Sequence, residues 1–401
     1  MESLCIKCKG KGFCGKPCKI LSKFRQSMPK PKLHFSGSTP PEIFVGRVNY
    51  PNVFSGVLSP QDKISNSQLL SSPELWVKQK LSIEQILELR GQLIYGRKES
   101  NIKSNKSLNN AMQELALSSK PVSTEFFLEK FPRLDFSASK AFSIMANPAP
   151  ISRIILEENP HVEKKVDSIT QDYDVKSIDA LTELYKSNIQ TSHLQKLFSA
   201  GLLGVKIQRK LVPTRWAITA VDDILSKKLL EKIKLYPELT EILIFSSNYN
   251  GNHYNFLVLP DSFSFEVIEA EMPGNVWNPS TNLSFSQDYE QFHGRKTYAS
   301  NVTGAYYANL LGVAEYLEKI KKQASVLVLR EIREDYYAPL GVGILREITR
   351  EAFTNQPIKA KTIDEAFELM QKNFKININE YRKILKIITN YKKQKKVCDY
   401  F

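Results

Sequence analysis

Four closely spaced cysteines give the N-terminal end of this chain the chemistry of a metal site. Cys5, Cys8, Cys14 and Cys18 follow the pattern C-x₂-C-x₅-C-x₃-C, with mostly lysine, glycine and proline between them. Four thiolates around one ion form a closed tetrahedral site, which favours structural zinc, while an iron–sulfur cluster would use the same ligands. Disulfide pairing is the alternative. The sequence has no signal peptide, so we expect a cytoplasmic location and a zinc module.

The last eight residues combine a glutamine with three large apolar side chains. Val397 and Tyr400 lie three positions apart, with Phe401 beside them and Gln394 three positions earlier. Side chains three positions apart share one face of a 3₁₀ turn, so the apolar groups would form one hydrophobic plug. This spacing resembles the box with which replication and repair proteins dock on the sliding clamp PCNA. There the apolar groups fill a pocket and the glutamine binds its rim. The alternative is a turn packed on the protein's own core.

The basic charge of the protein is concentrated at its two ends. Residues 1–50 carry ten Lys or Arg and two acids, and residues 382–401 carry seven and one, which together account for the formal net charge of +14. Residues 51–381 are therefore electrically neutral. Basic ends on a neutral body favour a partner such as DNA or an acidic protein surface. Tails that only promote solubility are the alternative.

One internal segment, residues 209–223, groups cations with hydroxyls and acids. A helix N-terminus beside cations suits a phosphate, and carboxylates suit a divalent metal. A metal-dependent DNA nuclease would draw on the cations and acids of this segment and on one acid further along: Arg209, Lys210, Arg215, Asp222, Asp223 and Glu271. The simpler interpretation is a partly buried salt-bridge network. Adjacent acids on a helix also point in different directions, which weakens the nuclease hypothesis.

Other catalytic and membrane signatures are missing from the sequence. There is no Walker loop, Rossmann fingerprint, HExxH motif or Ser-His-Asp order, and the five histidines share no ligand spacing. No apolar stretch approaches the ~20 residues that a membrane-spanning helix needs, so we expect no membrane partner.

Hydrophobic periodicity predicts an α+β fold with a central antiparallel-rich sheet flanked by helices. Helices are expected within residues 73–95, 107–118, 177–186, 192–199, 222–235, 302–322, 363–371 and 379–391, and Ser82 with Gln85 forms a capping-box signature. Three β-rich runs, at residues 241–246, 253–259 and 264–271, are separated by turn-forming pairs such as Asn250-Gly251. That pattern predicts an antiparallel meander.

Composition divides the chain into four regions. Residues 1–20 form the four-cysteine module, and residues 21–42 are a basic, proline-rich connector that we expect to be extended. Residues 43–381 form the globular core. Residues 382–401 are a basic, flexible tail that carries the clamp-binding box.

Over essentially its full length the sequence resembles the Nre proteins, a family of archaeal DNA-repair factors. The resemblance rests on the cysteine cluster, the terminal box and five internal runs, at residues 44–47, 116–122, 209–223, 298–299 and 330–331. It implies a role in DNA-damage repair and direct binding to the sliding clamp through Gln394, Val397, Tyr400 and Phe401. It supplies no catalytic mechanism.

Two functional hypotheses follow. In the first, the protein is a non-catalytic repair adaptor that docks on PCNA and contacts DNA through its basic, zinc-bearing ends. In the second, the core is a metal-dependent nuclease centred on residues 209–223. Convergence of the candidate acids in the fold would distinguish them.

Overall fold

Two β-sheets, built from different parts of the chain, organise the fold. The computed structural model describes residues 19–104, 107–132, 145–275, 277–278 and 280–391. The described residues form an N-terminal unit up to Leu225 and a C-terminal unit from Ser226, with the boundary inside the helix Thr214–Ile233. Two predicted sites lie outside the described residues: the module of Cys5, Cys8, Cys14 and Cys18, and the box of Gln394, Val397, Tyr400 and Phe401.

The N-terminal unit contains a six-stranded sheet in the order β1-β5-β6-β4-β3-β2. Neighbouring strands are antiparallel except β4 and β6, which are parallel. Burial alternates along β5, as expected for a strand with one face on a core. The strands are β1 His34–Thr39, β2 Ile43–Val45, β3 Asn52–Pro60, β4 Leu93–Asn101, β5 Val122–Leu128 and β6 Asn147–Leu156.

Helices pack against this sheet and bury its apolar side chains. Phe126, Ile94 and Met112 are fully buried members of the core. The predicted capping box is confirmed, because the Gln85 N–H donates to Ser82 Oγ and the Ser82 N–H donates to Gln85 Oε1. The helices of this unit are Lys19–Ser27, Pro73–Lys78, Ile83–Gly91, Ser107–Leu117, Lys164–Gln171, Ser177–Lys186 and Thr191–Ser199, followed by the shared helix Thr214–Ile233.

The segment predicted as an extended connector, residues 21–42, is instead packed into the N-terminal unit. Ile20 and Phe24 are buried on one face of the helix Lys19–Ser27, four positions apart. That helix approaches Gly91 so closely that a Cβ there would lie 2.8 Å from the Phe24 carbonyl oxygen. The strand β1 then joins the sheet edge beside β5. The prolines misled the sequence analysis because they stand between these elements.

The C-terminal unit contains a second six-stranded sheet, in the order β10-β9-β11-β8-β7-β12. Only β9 and β11 are parallel neighbours. The strands are β7 Ile242–Tyr249, β8 Asn252–Leu259, β9 Ser264–Glu271, β10 Ser284–Glu290, β11 Ser325–Ile332 and β12 Ile358–Ala360. The helices are Gly304–Ile320, Val342–Ala352, Ile363–Gln371, Ile378–Arg382 and Ile387–Asn390.

The predicted meander is correct for its first hairpin and wrong for its last strand. β7 and β8 pair through a turn in which Asn250 and Gly251 both have positive φ, as an Asn-Gly hairpin requires. However, β11 lies between β8 and β9. Local turn residues specify a hairpin, whereas a strand inserted from far along the chain leaves no local pattern. The α+β class is confirmed, but two sheets replace the single central sheet.

The predicted C-terminal tail also begins later than expected. Residues 382–391 are described, and Leu385 and Ile387 are buried in the C-terminal core. The buried Glu266 carboxylate accepts hydrogen bonds from the backbone N–H groups of Lys386 and Ile387 (2.8–3.1 Å). This carboxylate anchors the chain just before the residues that are predicted to form the clamp-binding box. No helix in the described ranges is long and apolar enough to cross a bilayer.

Candidate nucleic-acid interface

Hydrogen bonds through side-chain hydroxyls hold the β2–β3 hairpin, whose loop is residues 46–51, beside the start of the helix Thr214–Ile233. The Val45 N–H donates to Thr214 Oγ1 (2.9 Å). Thr214 Oγ1 lies 3.2 Å from Ser199 Oγ, whose own proton is donated to the Val212 carbonyl (2.8 Å). The Thr214 hydroxyl therefore accepts from the hairpin and donates to Ser199, which fixes the first turn of the helix against the sheet.

A second set of hydrogen bonds ties the same two segments through the end of β4. The Ile102 N–H donates to the Pro51 carbonyl (3.1 Å), and the Leu211 N–H donates to the Ile102 carbonyl (2.9 Å). The Tyr95 hydroxyl, which is buried, is within hydrogen-bonding distance of the Phe44 and Phe54 carbonyls (3.1 and 3.3 Å). The loop and the helix start are thus held rigidly in place.

This scaffold presents aromatic rings to solvent. Tyr50, Phe54 and Trp216 are 40–44% exposed, and the rings of Tyr50 and Trp216 lie 5.1 Å apart at an angle of 53°. The Arg97 guanidinium lies 4.5 Å from the centre of the Phe54 ring. We call Tyr50 and Trp216 with their sequence neighbours Arg47 and Arg215, together with Phe54 and Arg97 on the adjoining strands β3 and β4, the aromatic–arginine surface.

Exposed aromatic rings beside arginines are suited to nucleic acid. Rings stack on bases, and guanidinium groups neutralise phosphates and stack on planar groups. Trp216 was part of the segment that the sequence analysis selected, but Tyr50 was not selected. The one local clue to Tyr50 was the short run from Tyr50 to Phe54, in which two aromatics flank a proline, an asparagine and a valine.

Arg209 holds a loop together. Its guanidinium donates to the carbonyls of Gly204, Thr170 and Asp172 (2.6–2.7 Å) and lies 4.7 Å from the centre of the Tyr173 ring. These contacts use three of the five N–H groups of the guanidinium and tie Arg209 to its own unit. The other predicted cations, Lys210 and Arg215, are exposed.

The candidate acids are not placed as a substrate-facing cluster. The helix starts at Thr214, eight residues before the predicted start, so Asp222 lies in its middle. Asp222 is fully buried and accepts a hydrogen bond from Gln195 Nε2 (3.0 Å). Asp223 is partly buried on the same helix, and Glu271 ends β9 in the C-terminal unit. Among the described residues, no three His, Cys, Asp or Glu side chains are grouped to hold a metal ion.

The N-terminal unit also contains a polar pocket of about 220 Å³ that the sequence analysis missed. Its lining includes hydroxyls, an amide and three ionisable groups: Ser118, Ser119, Glu163, Gln190, His193 and Lys196. Lys196 Nζ pairs with Glu42 Oε2 (2.9 Å), and His193 Nε2 donates to the Ala116 carbonyl (2.9 Å). One clue was available in the sequence, since the run at residues 116–122 contributes two of the serines.

His193 should make the N-terminal unit less stable in acid. Burial, assisted by the Lys196 charge, lowers the pKa of His193 from 6.5 to about 4. Between pH 6.5 and pH 4, His193 is therefore mostly protonated in the unfolded chain and mostly neutral in the folded chain. We expect the free energy of unfolding to fall by about 3 kcal/mol between pH 6.5 and pH 4 because of this group. Urea denaturation followed by circular dichroism at each pH measures the effect.

The matched control for this prediction is His193→Gln, whose amide can still donate to the Ala116 carbonyl but does not titrate. The difference in unfolding free energy between wild type and this variant should shrink or reverse as the pH falls. A difference that stays constant from pH 7 to pH 4 would contradict a neutral, buried histidine.

Comparisons with known proteins cover both units. The family described as Archaeal Nre, N-terminal, matches residues 13–278, and Archaeal Nre, C-terminal, matches residues 290–400. The DNA repair protein NreB of Archaeoglobus fulgidus is 33% identical over 378 residues, covering 94% of this chain and 95% of that protein. NreA, also a DNA repair protein, is 36% identical over 367 residues in the same organism (90% and 91% covered). In Haloferax volcanii NreA is 34% identical over 356 residues (86% and 84%). No solved structure matches this chain.

Proposed function

Because this chain belongs to the archaeal Nre family, we propose that it is a DNA-repair protein that contacts DNA directly and docks on the sliding clamp PCNA. The relatives named as DNA repair proteins cover nearly the whole chain. The aromatic–arginine surface is the observation that carries the DNA contact, because the exposed rings of Tyr50 and Trp216 lie in contact and exposed Arg47 and Arg215 are close to them in the sequence.

Clamp docking is assigned to Gln394, Val397, Tyr400 and Phe401. The terminal box has the spacing of a clamp-binding motif; Lys392 and Lys393 precede it, and Lys395 and Lys396 lie within it. Supporting this assignment, the chain is anchored by Glu266 up to Ile387, so the box follows a fixed point on the C-terminal unit. Basic residues near such a motif increase the association rate with an acidic partner.

A non-catalytic adaptor is a better fit to the core than a nuclease. A metal-dependent nuclease needs carboxylates that face the substrate and share a metal ion. Asp222 is instead buried and hydrogen-bonded to Gln195, and Arg209 donates to three carbonyls of its own unit. Their contacts support structural roles for both residues.

DNA binding is tested by neutralising the arginines of the surface. The triple variant Arg47→Gln/Arg97→Gln/Arg215→Gln should bind a DNA oligonucleotide more weakly. The slope of the logarithm of its binding constant against the logarithm of the salt concentration should be less negative by about 2 to 3. Each lost phosphate contact releases about one counterion fewer. Fluorescence anisotropy over a salt series measures both quantities.

The matched control replaces three exposed lysines of the C-terminal unit, as Lys361→Gln/Lys372→Gln/Lys375→Gln. It changes the net charge equally, so it separates a local contact from a general charge effect. Equal losses of affinity in the two triple variants would refute a DNA contact at the aromatic–arginine surface.

The cysteine module is proposed to hold zinc. We expect about one zinc per chain, lost when Cys8 or Cys14 is replaced by serine, because the metal supplies the folding free energy of so small a module. Both sheets should stay folded, since each has its own core. Elemental analysis of anaerobically purified protein identifies the metal. Iron with visible absorbance would show that the module holds an iron–sulfur cluster instead of zinc. Absence of any metal would refute the site.

A further inference from the structure

We propose that the aromatic–arginine surface selects single-stranded DNA, with unpaired bases stacked on Trp216 and Tyr50. The inference rests on the proposed function, because it takes DNA as the partner and names the form that this surface prefers. Four features of the described residues carry it: the exposure of the rings, the angle between them, the rigidity of their support and the charge around them.

The rings have faces available for stacking. Trp216 and Tyr50 are 44% and 40% exposed, whereas Trp76 and Phe126 of this unit are buried and Phe131 and Tyr173 are exposed to a similar degree. The two ring planes meet at 53°, so neither ring covers the face of the other as a parallel stack would. A base can therefore lie against one ring while its neighbour along the strand contacts the other.

Base faces are accessible only where DNA is unpaired. In a duplex each base is stacked between its neighbours, so a protein ring reaches a base face only by unstacking it, which costs free energy. A single strand offers the same faces without that cost. Stacking of one base on an aromatic side chain changes affinity by about 5- to 150-fold, so two rings are enough to distinguish the two forms of DNA.

The support is rigid before DNA arrives. Val45 and Thr214, Pro51 and Ile102, and Ile102 and Leu211 are joined by hydrogen bonds of 2.9–3.1 Å. Tyr50 and Trp216 are carried by the two segments that these bonds connect. Little conformational entropy is then lost when a strand binds, so exposed rings held in this way bind better than rings on a loose loop.

The charge around the rings suits a phosphate backbone. Arg215 precedes Trp216, Arg47 lies in the same hairpin loop as Tyr50, and Arg97 lies over Phe54. In the part of the chain that the structure describes, these three arginines form no ion pair with an acidic side chain. Arg47 and Arg215 are also exposed, so their charges are available to phosphates on a strand that crosses the rings.

The experiment compares a 20-nucleotide single strand with the duplex of the same sequence. Full-length protein is titrated against each labelled DNA by fluorescence anisotropy at fixed salt. We expect the wild type to prefer the single strand. Trp216→Ala and Tyr50→Ala should each weaken single-strand binding by about 5-fold or more and leave duplex binding nearly unchanged. Trp216→Phe should keep most of the preference, because it retains a ring.

Two controls make the outcome decisive. Trp277→Ala removes a tryptophan that is also 40% exposed but belongs to the C-terminal unit, and it should have no effect. Thermal unfolding of each variant shows whether the fold is kept, and Tyr50→Ala provides the test if Trp216→Ala is unfolded.

Three results would overturn the inference, and they differ in what they imply for the proposed function. If wild type binds both DNA forms equally and Trp216→Ala weakens neither or both alike, the stacking inference fails while DNA contact stands. If wild type binds neither form, the DNA contact in the proposed function fails as well. Tighter binding of the RNA strand of the same sequence would overturn the assignment to DNA.

Discussion

Removal of residues 394–401 is expected to abolish binding to the sliding clamp and to leave the thermal stability of both units unchanged. Tyr400 and Phe401 should be the anchors, because buried aromatics dominate interfaces and typically cost about 2 kcal/mol or more when replaced by alanine. Each single substitution should therefore weaken clamp binding at least about thirtyfold. Isothermal titration calorimetry with purified clamp measures the affinity.

Neutralisation of the neighbouring lysines separates charge from anchoring. Replacing Lys392, Lys393, Lys395 and Lys396 by glutamine should slow association and flatten its salt dependence, while dissociation changes little. If the deletion leaves clamp binding intact, the box is not the docking element. If the deletion unfolds the C-terminal unit, the box is a structural element of that unit.

Breaking the buried ion pair of Arg330 and Glu269 is expected to destabilise the C-terminal unit by about 3–5 kcal/mol, since it leaves one charge buried without its partner. The two residues face each other on the parallel strands β11 and β9, and both are more than 90% buried. The Arg330 guanidinium donates to Glu269 and also, through Nε, to Asn252 Oδ1 (3.0 Å). Arg330→Met and Glu269→Met test each side of the pair.

The double variant Arg330→Met/Glu269→Met provides the control. It removes both charges, so it should be more stable than either single variant although it deletes more polar contacts. Hydrogen exchange of the β9 and β11 amides, measured by mass spectrometry, reports the stability of this unit separately. Additive losses in the double variant would contradict a pair whose main effect is mutual neutralisation.

Local patterns predicted the elements whose causes are local. The capping box at Ser82 depends on residues three positions apart, and the β7–β8 hairpin depends on the Asn250-Gly251 turn. The predictions were wrong where the position of an element depends on a partner far away in the sequence. β11 enters the sheet between β8 and β9, and the start of the helix Thr214–Ile233 is fixed by Thr214 bonding to Val45 and Ser199.

The candidate site shows the same division. Asp222 and Arg209 have the residue types of a phosphate or metal site, and the sequence does not reveal whether such side chains face solvent. The structure shows that Asp222 is buried and bonds to Gln195, and that Arg209 donates to backbone carbonyls of the protein. In the sequence, a polar residue that hydrogen-bonds to a buried partner cannot be distinguished from one that binds a ligand.

What the sequence by itself determined are the features set by short spacing or by composition: the four-cysteine pattern, the terminal box, the basic ends and the α+β class. What only the tertiary structure decided is which exposed groups meet. Tyr50 and Trp216 are far apart in the chain, and their ring centres come within 5.1 Å because the Val45 N–H of the hairpin donates to the Thr214 hydroxyl at the start of the helix. The physical reason is that spacing along a strand or turn is fixed by covalent geometry, whereas a contact between distant segments depends on how all the intervening elements pack.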